Sequence, residues 1–542
     1  MKPIFKFLAL AALVAGLASC KGDENFYSNT RQQLYIGDDI AVAQTEYGKV
    51  RGYIMRDTYT FLGIPYGGST AGENRFMPPR PPKPWDGVRP AYFYGACAPQ
   101  NIMQYPNNNS RTFLDCWNYF DMSEDCLNLN VWTPGLDGKK RPVIVWLHGG
   151  GFSSGNSIEH HEYHGENFSR YCDVVFVSPN HRLNSIGFTD FSAVDPKFAD
   201  SGNVGMLDLV AALQWVHDNI ENFGGDPGNV TIIGQSGGGA KVCNLVAMPE
   251  TEGLIHKAVA LSGSATSATD KTYASELGKA IAKAAGVKGP EDMHILQEMS
   301  YQEYRALADK VAREFAAKNG SVRRGGFSPV ADDVHIPSGD FYAPGSHSAN
   351  IPMIICTTTC EWPSAIDDAA RHALSREEVI AEMAARYGEE KAAAVYDAYA
   401  AIFPDKLPIE VYDLANSSRA GALKAAGLRN SLGAPVYLAW FDWQGPLFDG
   451  RVHAMHTMDI AFWFMNTDLQ VSHTGGGQYP RNLAKKMAKA LNNFMRTGDP
   501  NGRTGLPEWP AYNPETGATM VLADKSYVLE NPDKEALAII AD

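Results

Sequence analysis

Two serines in the chain match Gly-x-Ser-x-Gly, the pattern of a tight turn that presents a serine hydroxyl as a nucleophile. One match is GQSGG at residues 234–238, with Ser236 at its centre, and the other is GFSSG at residues 151–155, with Ser153. A pattern with three fixed positions is weak evidence by itself. The residues around each match must therefore decide which serine could act on a substrate.

Ser236 has the surroundings that such a turn needs. The preceding residues 230–233 (VTII) are apolar and β-branched, which predicts a buried strand. The following residues 240–248 form an apolar helical run that ends at Pro249. A strained turn between a strand and a helix lifts the hydroxyl above the sheet and points the helix N-terminus at it. We therefore expect Ser236 to be the nucleophile.

Ser153 also follows a predicted strand, at residues 142–147 (PVIVWL), but no helix follows it. Residues 155–157 (GNS) are turn formers instead. The serine directly follows residues 148–152 (HGGGF), whose glycines let backbone N–H groups approach a substrate oxygen without a Cβ in the way. This second match therefore predicts an oxyanion turn, and its serine is not the expected nucleophile.

A serine nucleophile needs a base within hydrogen-bond reach and a carboxylate that orients the base. Glu361 lies just beyond a predicted strand at residues 351–355 (IPMII), and two histidines, His453 and His456, follow another at residues 436–441. The residues alone leave several candidates for the acid and both histidines for the base. The carboxylates that rival Glu361 are Asp332, Asp333, Asp367 and Asp368.

The elements that would position these groups indicate an α/β fold. Several apolar runs predict strands that are buried on both faces, and helical segments alternate with them. This pattern predicts a central, mostly parallel sheet flanked by helices. The clearest helix spans residues 206–223, and Ala-rich helical stretches at residues 273–318 and 375–428 read as insertions around one core. The strand runs are residues 142–147, 174–178, 230–233, 258–261, 351–355 and 436–441.

Composition excludes some classes of partner. The chain has 542 residues, 44% of them hydrophobic, and a formal net charge of −14, with no run of basic residues longer than the three at residues 139–141. A basic surface for nucleic acid is therefore not expected. The length would allow one large domain or two to three smaller ones. The absence of linkers and repeats favours a single domain over residues 40–542.

The first residues resemble an export signal. Basic residues at positions 2 and 6 precede a short apolar run, and residues 17–20 (LASC) resemble the lipobox of bacterial lipoproteins. This predicts a signal peptide over residues 1–19, a lipid anchor on Cys20 and a polar tether over residues 20–39. Membrane contact would then occur only through the anchor, on a membrane face that the sequence leaves open. The alternative is a plain secretory signal cut near Ser19.

Nearly the whole chain resembles the type-B carboxylesterases, the family of carboxylesterases, cholinesterases and related lipases. The resemblance implies an α/β-hydrolase fold and the chain order serine, acid, histidine. It identifies Glu361 as the acid and His456 as the base, and it implies an oxyanion hole formed by Gly150, Gly151 and Gly237. The segments that carry it are TFLGIPYG, SEDCLNLNVWTP, VWLHGGGF, NHRLNSIGF, GGDPGNVTIIGQSGGG, HAMHTMDIAFWF and NNFMRTGDPNG.

The implied activity is hydrolysis of small carboxylic esters through an acyl-enzyme, with no metal or organic cofactor. Two alternatives remain open at this point. One is a catalytically inactive cholinesterase-like binding or adhesion protein, although the proposed triad is complete. The other is amide, carbamate or lipid hydrolysis by the same triad.

The chain departs from the family at four positions around the site. Gln235 and Asp459 stand where most members have glutamate, and the resemblance implies that the two face each other beside the imidazole. Losing one carboxylate would weaken the field that favours the protonated imidazole. Gly237 replaces the usual alanine, which predicts a looser oxyanion turn. Trp362 replaces the usual glycine after the acid, and it either reshapes the pocket or fills the core.

The resemblance also implies a disulfide between Cys97 and Cys126, which would close a loop beside the active-site gorge. Aromatic residues of that loop are candidates for a gorge wall. The remaining cysteines are expected to be buried thiols, with a bridge between Cys356 and Cys360 as an alternative. No metal site is expected, and the histidines near residue 160 are interpreted as a solvated loop. The loop aromatics are Tyr105, Phe113, Trp117, Tyr119 and Phe120.

Overall fold

The computed structural model describes residues 32–101, 110–115, 121–320, 326–344 and 346–541. Cys20 and most of the predicted tether lie outside these residues, as do Tyr105, Cys116, Trp117, Tyr119 and Phe120. Within the described part, no helix is long and apolar enough to cross a membrane.

Most strands belong to one large sheet. The strands of the described residues are β1 (Leu34–Tyr35), β2 (Val42–Thr45), β3 (Gly48–Arg51), β4 (Tyr53–Met55), β5 (Thr58–Pro65), β6 (Val88–Pro90), β7 (Asn128–Thr133), β8 (Arg141–Leu147), β9 (Val175–Pro179), β10 (Gly225–Gln235), β11 (Lys257–Leu261), β12 (Thr269–Asp270), β13 (Val330–Ala331), β14 (Met353–Thr358), β15 (Val436–Phe441), β16 (Thr519–Leu522) and β17 (Tyr527–Leu529). Twelve of them lie in the order β1-β4-β5-β7-β9-β8-β10-β11-β14-β15-β16-β17.

Helices cover both faces of the sheet and fill the insertions. The α-helices of the described residues are α1 (Ser110–Asp115), α2 (Glu166–Cys172), α3 (Asn184–Phe188), α4 (Val204–Asn219), α5 (Gly237–Ala247), α6 (Lys271–Ala284), α7 (His294–Glu298), α8 (Tyr301–Asn319), α9 (Ala369–His372), α10 (Arg376–Tyr387), α11 (Glu389–Ile402), α12 (Pro408–Ala415), α13 (Arg419–Asn430), α14 (Met458–Trp463), α15 (Val471–Thr474), α16 (Gln478–Thr497) and α17 (Lys534–Ala541).

The predicted α/β fold is confirmed. Seven consecutive strands of the sheet, from β9 to β16, run parallel, and every residue of β8, β14 and β15 is buried. Apolar runs predicted these strands because helices on both faces of a parallel sheet bury both sets of side chains. The carboxyl ends of β8, β10, β14 and β15 lie at one edge of the sheet. The loops that follow them carry the predicted site residues.

Three segments differ from the sequence-based predictions. Leu34–Tyr35, assigned to the tether, pairs antiparallel with β4 at the edge of the sheet. The predicted helix over residues 206–223 is α4 followed by a 3₁₀ turn, Ile220–Phe223. The antiparallel strands of the sheet were not predicted. Strands β1, β4 and β17 have only two or three residues, and polar residues interrupt the apolar ones in the longer β5 and β7.

Candidate active site

The backbone at Ser236 is strained in the way the sequence context predicts. Strand β10 ends at Gln235, α5 begins at Gly237, and Ser236 between them has φ 57° and ψ −121°. A non-glycine residue rarely adopts a positive φ, so the surrounding structure must hold it there. Ser236 is partly exposed while both neighbours are buried. The turn therefore presents the serine side chain at the carboxyl edge of the sheet.

The two glycines of the motif are required by close backbone contacts. A Cβ on Gly234 would lie 2.4 Å from the backbone of Gly238, and a Cβ on Gly238 would lie 2.0 Å from the carbonyl oxygen of Leu147. Neither contact leaves room for a side chain. The spacing Gly-x-Ser-x-Gly is thus a steric condition for the turn at Ser236.

The oxyanion loop, residues 148–154 after β8, crosses directly over this turn. Gly150 and Gly151 have φ values of 79° and 67°, in the left-handed region that favours glycine. The Gly150 carbonyl accepts hydrogen bonds from the N–H groups of Ser153 and Ser154 at 3.3 and 3.1 Å. Because C=O and N–H point in opposite directions across a trans peptide, the Gly151 N–H is directed away from that turn.

These N–H groups are available to a ligand. Within the described residues, the N–H groups of Gly150 and Gly151 have no backbone acceptor. A Cβ on Gly237 would lie 2.4 Å from the nitrogen of Gly151, so the loop and the start of α5 are in tight contact. The predicted looser turn at Gly237 is therefore wrong: the loop lies closer than an alanine would allow. Gly151 and Gly237, two of the expected donors, therefore lie side by side next to Ser236.

His456 and Glu361 form the expected acid–base pair. His456 Nδ1 lies 2.6 Å from Glu361 Oε2, and the His456 N–H donates to the Glu361 carbonyl oxygen at 3.0 Å. Glu361 also accepts a hydrogen bond from the Ser418 hydroxyl at 2.6 Å. Burial alone would raise the pKa of Glu361, but the hydrogen bonds and charge of His456 and Ser418 lower it overall. Glu361 is thus held as a carboxylate that orients the imidazole.

The rival acids lie elsewhere. Asp332 accepts bonds from Asn203 and from backbone N–H groups, and Asp333 accepts from Ser338. Asp367 contacts Ser110, and Asp368 caps α9.

His453, the other candidate for the base, lies against a different carboxylate, Glu410. Its Nδ1 lies 2.7 Å from Glu410 Oε1 and 3.0 Å from the amide nitrogen of Gln444. Burial would raise the pKa of Glu410, but the hydrogen bond and charge of His453 outweigh burial and lower it to about 2. This pair stabilises the loop between β15 and α14.

Gln235 contacts the catalytic face of His456. The two Nε2 atoms lie 3.1 Å apart, and Gln235 is fully buried. With Nδ1–H donated to Glu361, His456 Nε2 is an acceptor, and the amide of Gln235 can donate to it. No hydrogen bond joins Ser236 to His456 within the described residues. The Gln235 amide therefore occupies the ring nitrogen of His456 that Glu361 leaves free.

Asp459 does not contact Gln235. Its Oδ2 accepts a hydrogen bond from Trp463 Nε1 at 3.2 Å, and the side chain is fully buried. Burial and the nearby Glu361 carboxylate raise the pKa of Asp459 to about 7. The expected pairing of Gln235 with Asp459 is thus not present as a contact among the described residues.

Trp362 lies over the face of His456. The ring centroids are 4.5 Å apart with an interplanar angle of 30°, and the tryptophan is 56% exposed. Each other described tryptophan is buried or half-buried. Core filling, one of the two interpretations of Trp362, is therefore wrong. Residues 361 and 362 hold the imidazole from its edge and its face.

Two further expectations are corrected. Cys97 and Cys126 are both buried, unbridged thiols, and so are Cys356 and Cys360. Burial raises the pKa of Cys97 to about 11, which keeps this thiol in the form that does not attack a disulfide. The predicted solvated loop near residue 160 is wrong in part, because His160 is buried beside Tyr163 while His161 is exposed. Among the described residues no cluster is suited to a metal ion.

Two residues at the site were missed. Ser418 comes from the second helical insertion and contacts the acid, which no local pattern indicated. Lys241 follows the nucleophile by five residues and is fully buried, with Nζ 2.9 Å from the carbonyl oxygen of His148. Helix α5 is buried on nearly all sides, and a lysine is seldom buried, so the sequence did not indicate this position.

Comparisons with known proteins show to which family the chain belongs. The model of the carboxylesterase family matches residues 39–540. The chain is 31% identical to the para-nitrobenzyl esterase of Bacillus subtilis, over 91% of this chain and 97% of that protein. It is also 31% identical to the phenmedipham hydrolase of Pseudarthrobacter oxydans, over 89% of this chain and 95% of that protein.

Solved structures show the same fold. An esterase from Clostridium hathewayi superimposes with a TM-score of 0.83 at 36% identity and covers 94% of this chain and 99% of its own. A carboxylesterase of Geobacillus stearothermophilus superimposes with a TM-score of 0.71 at 31% identity, with coverage of 92% and 99%. The chain therefore belongs to the carboxylesterase family and is a carboxylic ester hydrolase.

Proposed function

We propose that Ser236, His456 and Glu361 hydrolyse carboxylic esters through an acyl-enzyme. The observation that carries this proposal is the convergence of a strained serine turn, a 2.6 Å His456–Glu361 contact and the N–H groups of the oxyanion loop at one edge of the sheet. Each element has a separate chemical role. Together they meet the requirements for nucleophilic attack on a carbonyl.

In the acylation step, His456 Nε2 takes the proton of Ser236 Oγ as the oxygen attacks the ester carbon. Gln235 must first release this nitrogen, because its amide lies 3.1 Å from it. The carbonyl oxygen becomes an oxyanion that accepts hydrogen bonds from the N–H groups of Gly150, Gly151 and Gly237. Each such donor contributes about 10²- to 10³-fold in rate.

In the next step, the imidazolium gives its proton to the leaving alcohol and the acyl-enzyme remains. The same histidine then takes a proton from water as the water oxygen attacks the acyl carbon. It gives that proton to Ser236 Oγ as the bond to the acyl group breaks and the acid leaves. The negative charge of Glu361 stabilises the imidazolium in both halves of the reaction. Asp459 is neutral below about pH 7, so it adds no second negative charge near His456.

The relatives support esters with an aromatic part as substrates. The Bacillus relative is named for para-nitrobenzyl esters, and the Clostridium esterase is described as hydrolysing aliphatic aromatic polyesters. In this chain, the exposed face of Trp362 beside His456 offers a flat apolar surface to such a group. We infer that small esters bearing an aryl group are accepted.

The test compares wild type with S236A on p-nitrophenyl esters of increasing acyl length. Wild type should release nitrophenol with a rate that depends on acyl length, and S236A should show only background release. Equal rates for the two proteins would contradict the assignment of Ser236.

We further propose that the enzyme is exported and anchored by lipid on Cys20. The support is the sequence LASC at residues 17–20 after a short apolar run. Labelling the expressing bacterium with a fatty-acid analogue should tag wild type and leave C20A untagged. Equal labelling of both proteins would contradict this anchor.

A further inference from the structure

Lys241 lies beneath the oxyanion loop. It is on α5, five residues after Ser236, and none of its surface is exposed. Its Nζ donates to the carbonyl oxygens of His148 at 2.9 Å and Gly149 at 3.4 Å. Burying an ammonium group costs free energy unless polar partners replace water. Here those partners include the backbone of the loop that forms the oxyanion hole.

The hydrogen bond from Lys241 to the Gly149 carbonyl determines the direction of the Gly150 N–H. The Gly149 carbonyl oxygen is also 3.1 Å from His148 Nδ1, so two side chains hold it on the inner side of the loop. Across the trans peptide between Gly149 and Gly150, the N–H points in the opposite direction. The Gly150 N–H is therefore turned away from Lys241. Gly149 itself lies against the serine turn, since its Cβ would be 3.6 Å from Ser236 Cβ.

The positive charge of Lys241 strengthens its hydrogen bond to the Gly149 carbonyl. His148 and His181 are buried and stacked beside Lys241, with ring centroids 5.1 Å apart. Burial and the Lys241 charge lower the pKa of both imidazoles well below the usual value, so both are neutral. The positive charge beneath the loop is thus that of Lys241. A carbonyl that accepts from an ammonium polarises its peptide, which strengthens the N–H at the other end as a donor.

We propose that Lys241 is a positioning residue of the oxyanion hole, whose buried ammonium fixes the 149–150 peptide so that the Gly150 N–H faces the substrate oxygen. The inference rests on the proposed function of Ser236. Without the ammonium, the peptide can rotate and turn the Gly149 carbonyl toward the oxyanion. Lys241 should then affect the transition state more than substrate binding.

The first test is the K241M variant of the full chain, which keeps the length of the side chain and removes its donors. With p-nitrophenyl acetate, kcat should fall about 10²-fold, the effect of losing one oxyanion donor, while KM changes less than about threefold. The inhibition constant of an aryl trifluoromethyl ketone should rise in parallel with the loss of kcat/KM. This inhibitor forms a hemiketal oxyanion with the serine and so reports on the hole directly.

The matched control is R429M. Arg429 is also a buried cation that donates to backbone carbonyls, those of Ser348 and Ile351, but these precede β14 at the opposite edge of the sheet. R429M should lower Tm as K241M does and leave kcat and the ketone affinity unchanged. K241Q retains an N–H donor and should recover part of kcat, and it replaces K241M if that variant does not accumulate folded.

The inference is overturned if the Lys241 variant keeps kcat and ketone affinity within about threefold of the wild-type values. It is also overturned if R429M loses as much kcat and ketone affinity as the Lys241 variant does. S236A in the same assay separates this result from a failure of the proposed function. An inactive S236A together with an active K241M refutes the role of Lys241 alone. An active S236A refutes the proposed function itself.

Discussion

Two loops of this enzyme carry the same five-residue pattern and use it in opposite ways. At residues 234–238 the backbone of Ser236 is forced to φ 57°, and the turn presents the serine side chain. At residues 151–155, Ser153 donates its N–H to the Gly150 carbonyl within a turn, and the loop instead offers the N–H groups of its glycines. The direction of the backbone, set by the helix or turn after each strand, therefore decides the chemistry that the pattern supports.

The glycines of the two loops also serve different physical purposes. In the serine turn, Gly234 and Gly238 allow two backbones to approach where any Cβ would overlap another backbone atom. In the oxyanion loop, Gly150 and Gly151 supply positive φ values. One set of glycines allows the close approach at Ser236, and the other gives the loop beside it its positive φ values.

The largest effect should separate the two serines. S236A should lower kcat by about 10⁴- to 10⁶-fold, because the nucleophile is lost and only the oxyanion hole and binding remain. S153A should keep kcat within about threefold of wild type, since its hydroxyl takes no part in the reaction. Steady-state kinetics on p-nitrophenyl butyrate give both values. Comparable losses in the two variants would break the distinction between the loops.

The contact between the loops should be the next most sensitive feature. In G237A the new methyl group would meet the backbone of Gly151, which must move and carry its N–H out of line. We expect kcat to fall by about 10²-fold with a smaller change in KM. G253A serves as the control for the strain of an added methyl group, because a Cβ there meets nothing although its φ is positive. An unchanged kcat in G237A would show that the hole does not need this close approach.

The surroundings of the serine turn contain a buried carboxyl group that should make stability depend on pH. The pKa of Asp459 is raised to about 7, so wild type loses unfolding free energy as pH rises from about 4 to 7, where this carboxyl is ionised in the unfolded chain but still protonated in the folded one. D459N cannot ionise and should gain roughly 2 to 3 kcal/mol relative to wild type between pH 5 and pH 8. Urea unfolding at the two pH values measures this difference. If the difference in unfolding free energy between D459N and wild type is the same at both pH values, the raised pKa of Asp459 is refuted.

The smallest effect concerns the residue before the nucleophile. A carboxylate in Q235E would favour the protonated imidazole, whereas the Gln235 amide donates to the neutral one. The acidic limb of the kcat/KM profile should therefore move to higher pH by about one unit. Q235A has neither the amide nor a carboxylate, so the acidic limb of its profile should lie between those of wild type and Q235E. Superimposable profiles for wild type and Q235E would show that this side chain does not bias the base.

The sequence predicted the centre of the fold better than its margins. The six apolar runs correspond to β8, β9, β10, β11, β14 and β15, because strands buried on both faces need continuous apolar residues. Strand β1 was assigned to a polar tether, since its two residues are exposed and paired only at an edge. Such a strand depends on its neighbour and leaves no pattern of its own.

The residues of the candidate site also divide into those that the sequence predicted and those that it did not. Order along the chain and family resemblance predicted Ser236, Glu361 and His456 as a triad, and the structure places His456 against Glu361. Lys241 and Ser418 were not found, because their roles depend on which backbone or side chain the fold places against them. The exposure of Trp362 and the unbridged Cys97 and Cys126 were also unpredictable, since each depends on local packing and geometry.

The most direct test of the account is the site of covalent labelling by a fluorophosphonate ester. This reagent phosphonylates a serine only when a base and an oxyanion hole activate it. Digestion and mass spectrometry should find the adduct on the peptide that contains Ser236, with none on the peptide that contains Ser153. An adduct on Ser153, or equal labelling of S236A and wild type, would contradict the central claim.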